Sequence, residues 1–361
     1  MNPTHALSRA GQSIWLDNLA RNLLTSGTLA RYISELSVTG LTSNPTIFDQ
    51  AIKKGTAYDD SIRDRLRAGA SGEKLFFELA LEDITQAADL FRPVHERTAG
   101  VDGWVSLEVS PLLAYDSKAT LSQVKELHSR AARPNLYIKI PGTKEGLPAI
   151  EESIFAGVPI NVTLLFSSEQ YVAAAEAWLR GIERRIEAQL NPDVPSVASI
   201  FLSRWDVAVA GKVPAELSNT LGLAIGHQAY RAYSELLQSS RWRRALNAGA
   251  RPQRLLFAST GTKDPKASDV LYIKGLVAPL TINTMPEGTL KAFAEHGELG
   301  PELRADGGDS ETVLSKFRKA GVDLNALAAK LQKEGAESFV SSWNELLKVI
   351  ASKSSSLAKA S

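Results

Sequence analysis

Cysteine is absent from this 361-residue chain, and histidine occurs only five times, as His5, His95, His128, His227 and His296. Without a thiol there is no disulfide framework, no cysteine nucleophile, no iron–sulfur cluster and no thiolate zinc site. The histidines are scattered, none with a second one two to five residues on. The sequence therefore encodes neither a His-rich metal site nor a locally built histidine base. Charge of one sign is also lacking. Lys plus Arg number 41 and Asp plus Glu 40, for a net charge of +1. No basic surplus calls for nucleic acid, and no acidic surplus calls for disorder. No stretch approaches the roughly 18 uninterrupted apolar residues of a membrane span. The opening string MNPTHALSRAGQSIWLD has no apolar signal-peptide core, so the cytoplasm is the expected compartment. No G-x-G-x-x-G follows the first strand, which speaks against a dinucleotide-binding sheet. If the chain is an enzyme, its chemistry falls to Lys, Asp, Glu, Ser, Thr and Asn.

What is present is an ordinary globular composition, 44% hydrophobic and 22% charged, with ample length for a large core. Length alone suggests two or three domains, but one (β/α)₈ barrel routinely takes about 250 residues or more. Eight short apolar runs read as strands: Ser13–Asp17, Ser37–Thr42, Trp104–Val109, Leu136–Ile140, Pro159–Thr163, Ser196–Phe201, Arg254–Ser259 and Leu280–Thr284. Amphipathic stretches alternate with them, clearest at Leu121–Arg133 and Glu169–Gln189. Strands alternating with helices predict βα units on a parallel sheet, and eight units predict closure into a TIM barrel. The whole chain, 1–361, reads as one such domain. Extra helical material is expected between strands two and three (about 46–103, with pieces at Thr46–Lys54 and Glu73–Val94). More is expected at the C-terminus (about 285–351), where Leu324–Ile350 carries an apolar stripe with Trp343 and Leu346. The polar end, residues 352–361, is expected to fray.

Strands buried on both faces should be nearly all apolar. Here each breaks that rule towards its C-terminal end, at Asp17, Thr42 (then Ser43 and Asn44), Glu108, Lys139, Asn161 and Thr163, Ser199, Ser259, and Asn283 with Thr284. A charge in an apolar run is costly unless paired. Repeated on every strand, the exceptions mark one place, because the C-terminal strand ends of a barrel converge on the mouth where active sites sit. Lys139, in Leu136-Tyr137-Ile138-Lys139-Ile140-Pro141, has two readings. Burial and neighbouring cations favour a neutral lysine, and a neutral amine can attack a carbonyl to form a Schiff base; alternatively it is a structural partner of Glu108 or Asp17. Lys274 sits in the similar string Leu271-Tyr272-Ile273-Lys274, but Gly275 marks a helix end there, where a cation is simply favourable. Asp17 and Glu108 suit proton transfer, although Asp17 could instead cap a helix from Asn18. Asn44 before Pro45 could serve only a turn, and Ser199 and Ser259 could fill the barrel. Arg204 is a phosphate clamp or a surface ion pair. The polar segment Ser259-Thr260-Gly261-Thr262-Lys263 follows strand seven, where this fold often binds phosphate.

In order, the strings Ile14-Trp15-Leu16-Asp17, Gly40-Leu41-Thr42-Ser43-Asn44-Pro45, Ser106-Leu107-Glu108-Val109, Ile138-Lys139-Ile140-Pro141, Asn161-Val162-Thr163-Leu164, Ser196-Val197-Ala198-Ser199 with Phe201 and Arg204, Ala258-Ser259-Thr260-Gly261 and Asn283-Thr284-Met285-Pro286 resemble those of transaldolases of the longer bacterial type. The resemblance spans nearly the whole chain. It implies a class I aldol mechanism without cofactor or metal. Lys139 would form the Schiff base with a phosphorylated ketose, and Asp17 would be the acid/base. Glu108 with Thr163 would hold the water of imine chemistry. Asn44, Asn161 and Ser199 would bind the dihydroxyacetone unit, with Phe201 shaping the pocket, and Arg204 and Ser259 would hold phosphate. One departure stands out: many members carry Ser-Phe-Arg after strand seven, and that Arg is absent here, so Lys263 is the candidate replacement. The implied partners are sugar phosphates, with neither nucleic acid nor membrane, and the chain is expected to act as a monomer or homodimer. The nearest alternative is a fructose 6-phosphate aldolase-like lyase using the same lysine; a non-catalytic barrel is a third, disfavoured by three buried charges without a use.

Overall fold

Short apolar runs bounded by turns leave a chain little choice but to bury both faces of each strand, and a sheet covered by helices on its outer face can do so only by closing on itself. The structure, a computed structural model, describes residues 2–359 and shows that closure. Eight parallel strands run in sequence order around one barrel: β1 (Ser13–Asp17), β2 (Val38–Thr42), β3 (Trp104–Glu108), β4 (Leu136–Pro141), β5 (Ile160–Leu165), β6 (Ser196–Phe201), β7 (Gln253–Ala258) and β8 (Ile282–Met285), with β8 pairing back onto β1. All eight expected strands are present, shifted by at most two residues at either end. The register sets Asp17 beside Thr42, Glu108 beside Lys139, and Lys139 beside Asn161. Gly40 is required by packing, since a Cβ there would lie 2.4 Å from Trp15 Cε2. The N-terminal end of the barrel is locked by Asp102, which accepts hydrogen bonds from Ser13 Oγ and Trp15 Nε1 and pairs with Arg254 at 3.3 Å.

Between β2 and β3 lie three helices, Pro45–Lys54, Asp59–Arg67 and Gly72–Arg97. They are tied to the barrel by a buried charge cluster. Arg21 donates from Nε to Asp83 and from Nη2 to Glu82, both at 2.8 Å, and Tyr58 Oη donates to Asp83 at 2.6 Å. Arg21 begins the helix after β1; Asn18 to Ala20 are irregular and Ala20 is the N-cap, so Asp17 caps nothing.

The C-terminal helix Leu324–Lys359 spans about 54 Å at 1.5 Å per residue. Its apolar stripe packs Trp343 edge-on against Phe76 (ring centres 4.9 Å apart), and Phe76 against Phe48 (5.3 Å). The expected fraying from residue 352 does not occur up to Lys359. Lys353 donates to Asp59 Oδ1 at 2.7 Å and to the Gly55 carbonyl, and Leu357 packs against the core, so the last turns have tertiary partners. Residues 360 and 361 lie outside the described residues. No helix among those described is long and apolar enough to cross a membrane.

Candidate active site

Parallel register is what assembles the site, because it brings the polar C-terminal ends of all eight strands to one rim. Asp17, Asn44, Lys139, Ser199, Phe201, Arg204, Ser259 and Lys263 line a single cavity of about 610 Å³ at that rim. Glu108, Asn161 and Thr163 are buried on β3 and β5, Glu108 against Lys139 and Asn161 against Ser199 of that lining. All eleven residues singled out in the sequence are thus gathered at one mouth. Lys274 is not among them; it closes a one-turn helix, Leu271–Lys274, and pairs with Glu298 at the surface.

Lys139 stands at the centre and is 4% exposed. Its Nζ lies 3.0 Å from Glu108 Oε2, an ion pair off the alignment of a hydrogen bond, and donates to the Ser43 carbonyl at 3.2 Å. Phe339 of the C-terminal helix faces it, with the ring centre 5.7 Å from Nζ. Glu108 Oε1 and Thr163 Oγ1 are buried without a hydrogen-bond partner. Burial pushes the Glu108 carboxyl above the usual range, against the pull of Lys139. Asp17 is also raised, first by burial, with Lys139 and the hydrogen bond donated by Thr42 Oγ1 (3.0 Å) opposing.

Asn161 Nδ2 donates to Ser106 Oγ at 3.1 Å, and its Oδ1 accepts from Ser199 Oγ at 2.7 Å. Asn44 caps the helix Pro45–Lys54, accepting from Ile47 N at 3.2 Å, while still lining the cavity. Ser259 holds a left-handed backbone (φ 55°) just past β7 and shares a 2.9 Å hydrogen bond with Ser203 Oγ. Arg204 has no carboxylate and no hydrogen-bond acceptor among the described residues; its guanidinium lies over Phe201, 5.4 Å from the ring centre. Burial alone pulls its pKa down, as expected for a desolvated cation lacking an anion. Lys263 is exposed at the rim. No three or more His, Asp or Glu stand together as a metal site among the described residues.

Sequence reasoning missed Thr46, Ile47, Gln50, Ser338 and Phe339 in the lining. They come from helices outside the βα repeat, whose docking leaves no periodic mark at those positions.

A closed parallel barrel whose mouth gathers a lysine, two carboxylates and hydrogen-bonding amides around one cavity places the molecule among the (β/α)₈-barrel enzymes. A family profile described as Transaldolase/Fructose-6-phosphate aldolase matches residues 14–350. The chain is 45% identical to a transaldolase of Thermobifida fusca over 97% of this chain and 98% of that protein. It is 42% identical to transaldolases of Renibacterium salmoninarum (95% and 94%) and Thiobacillus denitrificans (96% and 99%). The chain belongs to the transaldolase/fructose-6-phosphate aldolase family.

Proposed function

We propose that this enzyme is a transaldolase and that Lys139 is its Schiff-base nucleophile. The enzyme moves a three-carbon dihydroxyacetone unit from sedoheptulose 7-phosphate to glyceraldehyde 3-phosphate, giving erythrose 4-phosphate and fructose 6-phosphate, reversibly. The observation that carries the reading is the buried Lys139–Glu108 pair at a cavity whose wall also holds Arg204, which has no carboxylate partner among the described residues. Glu108, already biased towards its protonated form, takes the Lys139 proton. The neutral amine attacks C2 of the ketose, and the carbinolamine loses water, protonated by Glu108, to leave the iminium. The Asp17 carboxylate removes the C4 hydroxyl proton. The C3–C4 bond then breaks, its electron pair passes into the iminium, and the aldose phosphate leaves an enamine on Lys139. The enamine attacks the acceptor aldehyde, Asp17 returns the proton to the new hydroxyl, and water held by Glu108 and Thr163 hydrolyses the imine. Asn44, Asn161 and Ser199 hold the three-carbon unit beside Phe201. Arg204, Ser259 and Lys263 take the phosphate, the guanidinium as a planar fork. This chemistry belongs in the non-oxidative pentose phosphate pathway, in the cytoplasm, carried out by a monomer or homodimer.

Borohydride reduction with fructose 6-phosphate, read by peptide mass spectrometry, tests the reading. The expected adduct is a dihydroxyacetone-derived mass on Lys139 that Lys139→Ala abolishes; an adduct on Lys274, or none, overturns it. The family also contains fructose 6-phosphate aldolases, so a coupled assay decides transfer against release. Glyceraldehyde 3-phosphate formed at full rate without an acceptor would make the enzyme a lyase.

A further inference from the structure

The C-terminal helix touches the site along one face. Gln332, Gly335 and Phe339 fall at helical positions i, i+3 and i+7, one stripe of the cylinder. Gln332 Nε2 donates to two carbonyls at once, Gly142 O at 3.0 Å and Leu164 O at 2.9 Å. Gly142 directly follows β4, the strand of Lys139, and Leu164 directly follows Thr163 on β5. Leu164 is strained, a leucine at φ 59°, and the β5–β6 register breaks between Val162 and Leu165. Gly142 N also donates to Thr163 O at 2.7 Å. One carboxamide therefore clamps the end of β4, the strand of the nucleophile, to the irregular end of β5 beside Thr163.

Gly335 lies one turn further on, buried in mid-helix, where alanine would be the better helix former. A Cβ there would stand 3.2 Å from Arg204 Nη1 and 3.0 Å from Leu164 Cδ2. Its lack of a side chain leaves the guanidinium the room in which it lies beside the cavity.

We infer that Gln332 and Gly335 are positioning residues of the active site, Gln332 acting on the Lys139 and Thr163 strand ends and Gly335 on Arg204. The inference rests on the transaldolase reading above, and it makes the C-terminal helix a component of the catalytic mouth as well as a cover for the core.

The two roles have different kinetic signatures, which a general loss of structure would not separate. Gln332→Met keeps the side chain's length and removes the donor. The expected result is a kcat lowered about tenfold or more, since small misplacements of reacting groups cost up to about a hundredfold, with KM for fructose 6-phosphate within about twofold. Gly335→Ala should instead lower the preference for glyceraldehyde 3-phosphate over unphosphorylated D-glyceraldehyde as acceptor, in kcat/KM, by about tenfold, the scale of one charge-assisted phosphate contact. That preference should be unchanged in Gln332→Met. Wild-type kcat in Gln332→Met overturns the role of Gln332. Equal losses with both acceptors in Gly335→Ala overturn that of Gly335, whatever the folding of the other variant. The borohydride adduct on wild-type Lys139 is read in parallel. Its absence defeats the transaldolase reading itself, whereas its presence with unaltered variants defeats only this inference.

Discussion

At the scale of single residues, the two site carboxylates are both raised by burial yet differ in their neighbours. Among the described residues Asp17 has no cation in salt-bridge contact, whereas Glu108 pairs with Lys139 at 3.0 Å. A raised carboxyl keeps its proton in the folded chain at a pH where the unfolded chain has lost it. Stability therefore falls as pH rises from the ordinary value of 3.8 through the folded-state value, and the cost is complete above that. Asp17→Asn removes the cost. Its melting temperature at neutral pH should match or exceed wild type, the difference shrinking as pH falls towards 3.8, while transfer activity is lost. Glu108→Gln should do the opposite, since it leaves the buried lysine unpaired, an effect of about 3–5 kcal/mol for a buried pair. Thermal melts of both variants across pH check the contrast, and parallel shifts in the two would show that Lys139 does not depend on Glu108.

At the scale of elements, the additional helices have distinct attachments. The Arg21–Asp83–Tyr58–Glu82 cluster fastens the segment between β2 and β3 to the helix after β1, and the Asp83 side chain has no exposure to water. Its carboxyl is raised by burial even with Arg21 in contact. Arg21→Met should therefore destabilise by about 3–5 kcal/mol, the scale for removing one partner of a buried pair. Asp83→Asn in the same chain should recover part of that loss in denaturant unfolding; no recovery would show that the arginine acts through packing. The barrel strands themselves were legible because each needs only a short apolar run between turns. The N-terminal helix Pro3–Arg9 was not anticipated; its signal is local, with Asn2 accepting from Thr4 N at 3.0 Å ahead of a proline. The end of the C-terminal helix is not legible in the sequence, because a serine-rich polar tail says nothing about Lys353 meeting Asp59.

At the scale of the whole molecule, a net charge of +1 supplies no long-range attraction for an anionic sugar. The cations that meet a phosphate must be local, and Arg204 and Lys263 are the two on the cavity wall besides Lys139. Lys263 is exposed, so its contribution should be modest and sensitive to salt. Lys263→Ala is expected to raise KM for glyceraldehyde 3-phosphate about fivefold, on the order of 1 kcal/mol for an exposed charge pair. The difference from wild type should narrow as salt shortens the screening length from about 10 Å at 0.1 M. An unchanged KM removes Lys263 from the site.

By itself the sequence determined the strands, their number and the polar residues at their ends. Those features are written locally, in apolar runs of fixed length and in charges that no buried strand carries without a use. Only the tertiary structure decided that Lys139 is paired with Glu108, that Asp17 caps no helix, that Arg204 has no carboxylate partner among the described residues, and that a helix nearly two hundred residues further on brings Phe339, Gly335 and Gln332 to the mouth. Distances between strands follow from barrel register, and helix docking follows from the shape of the whole core; neither leaves a spacing in the chain for a reader to find.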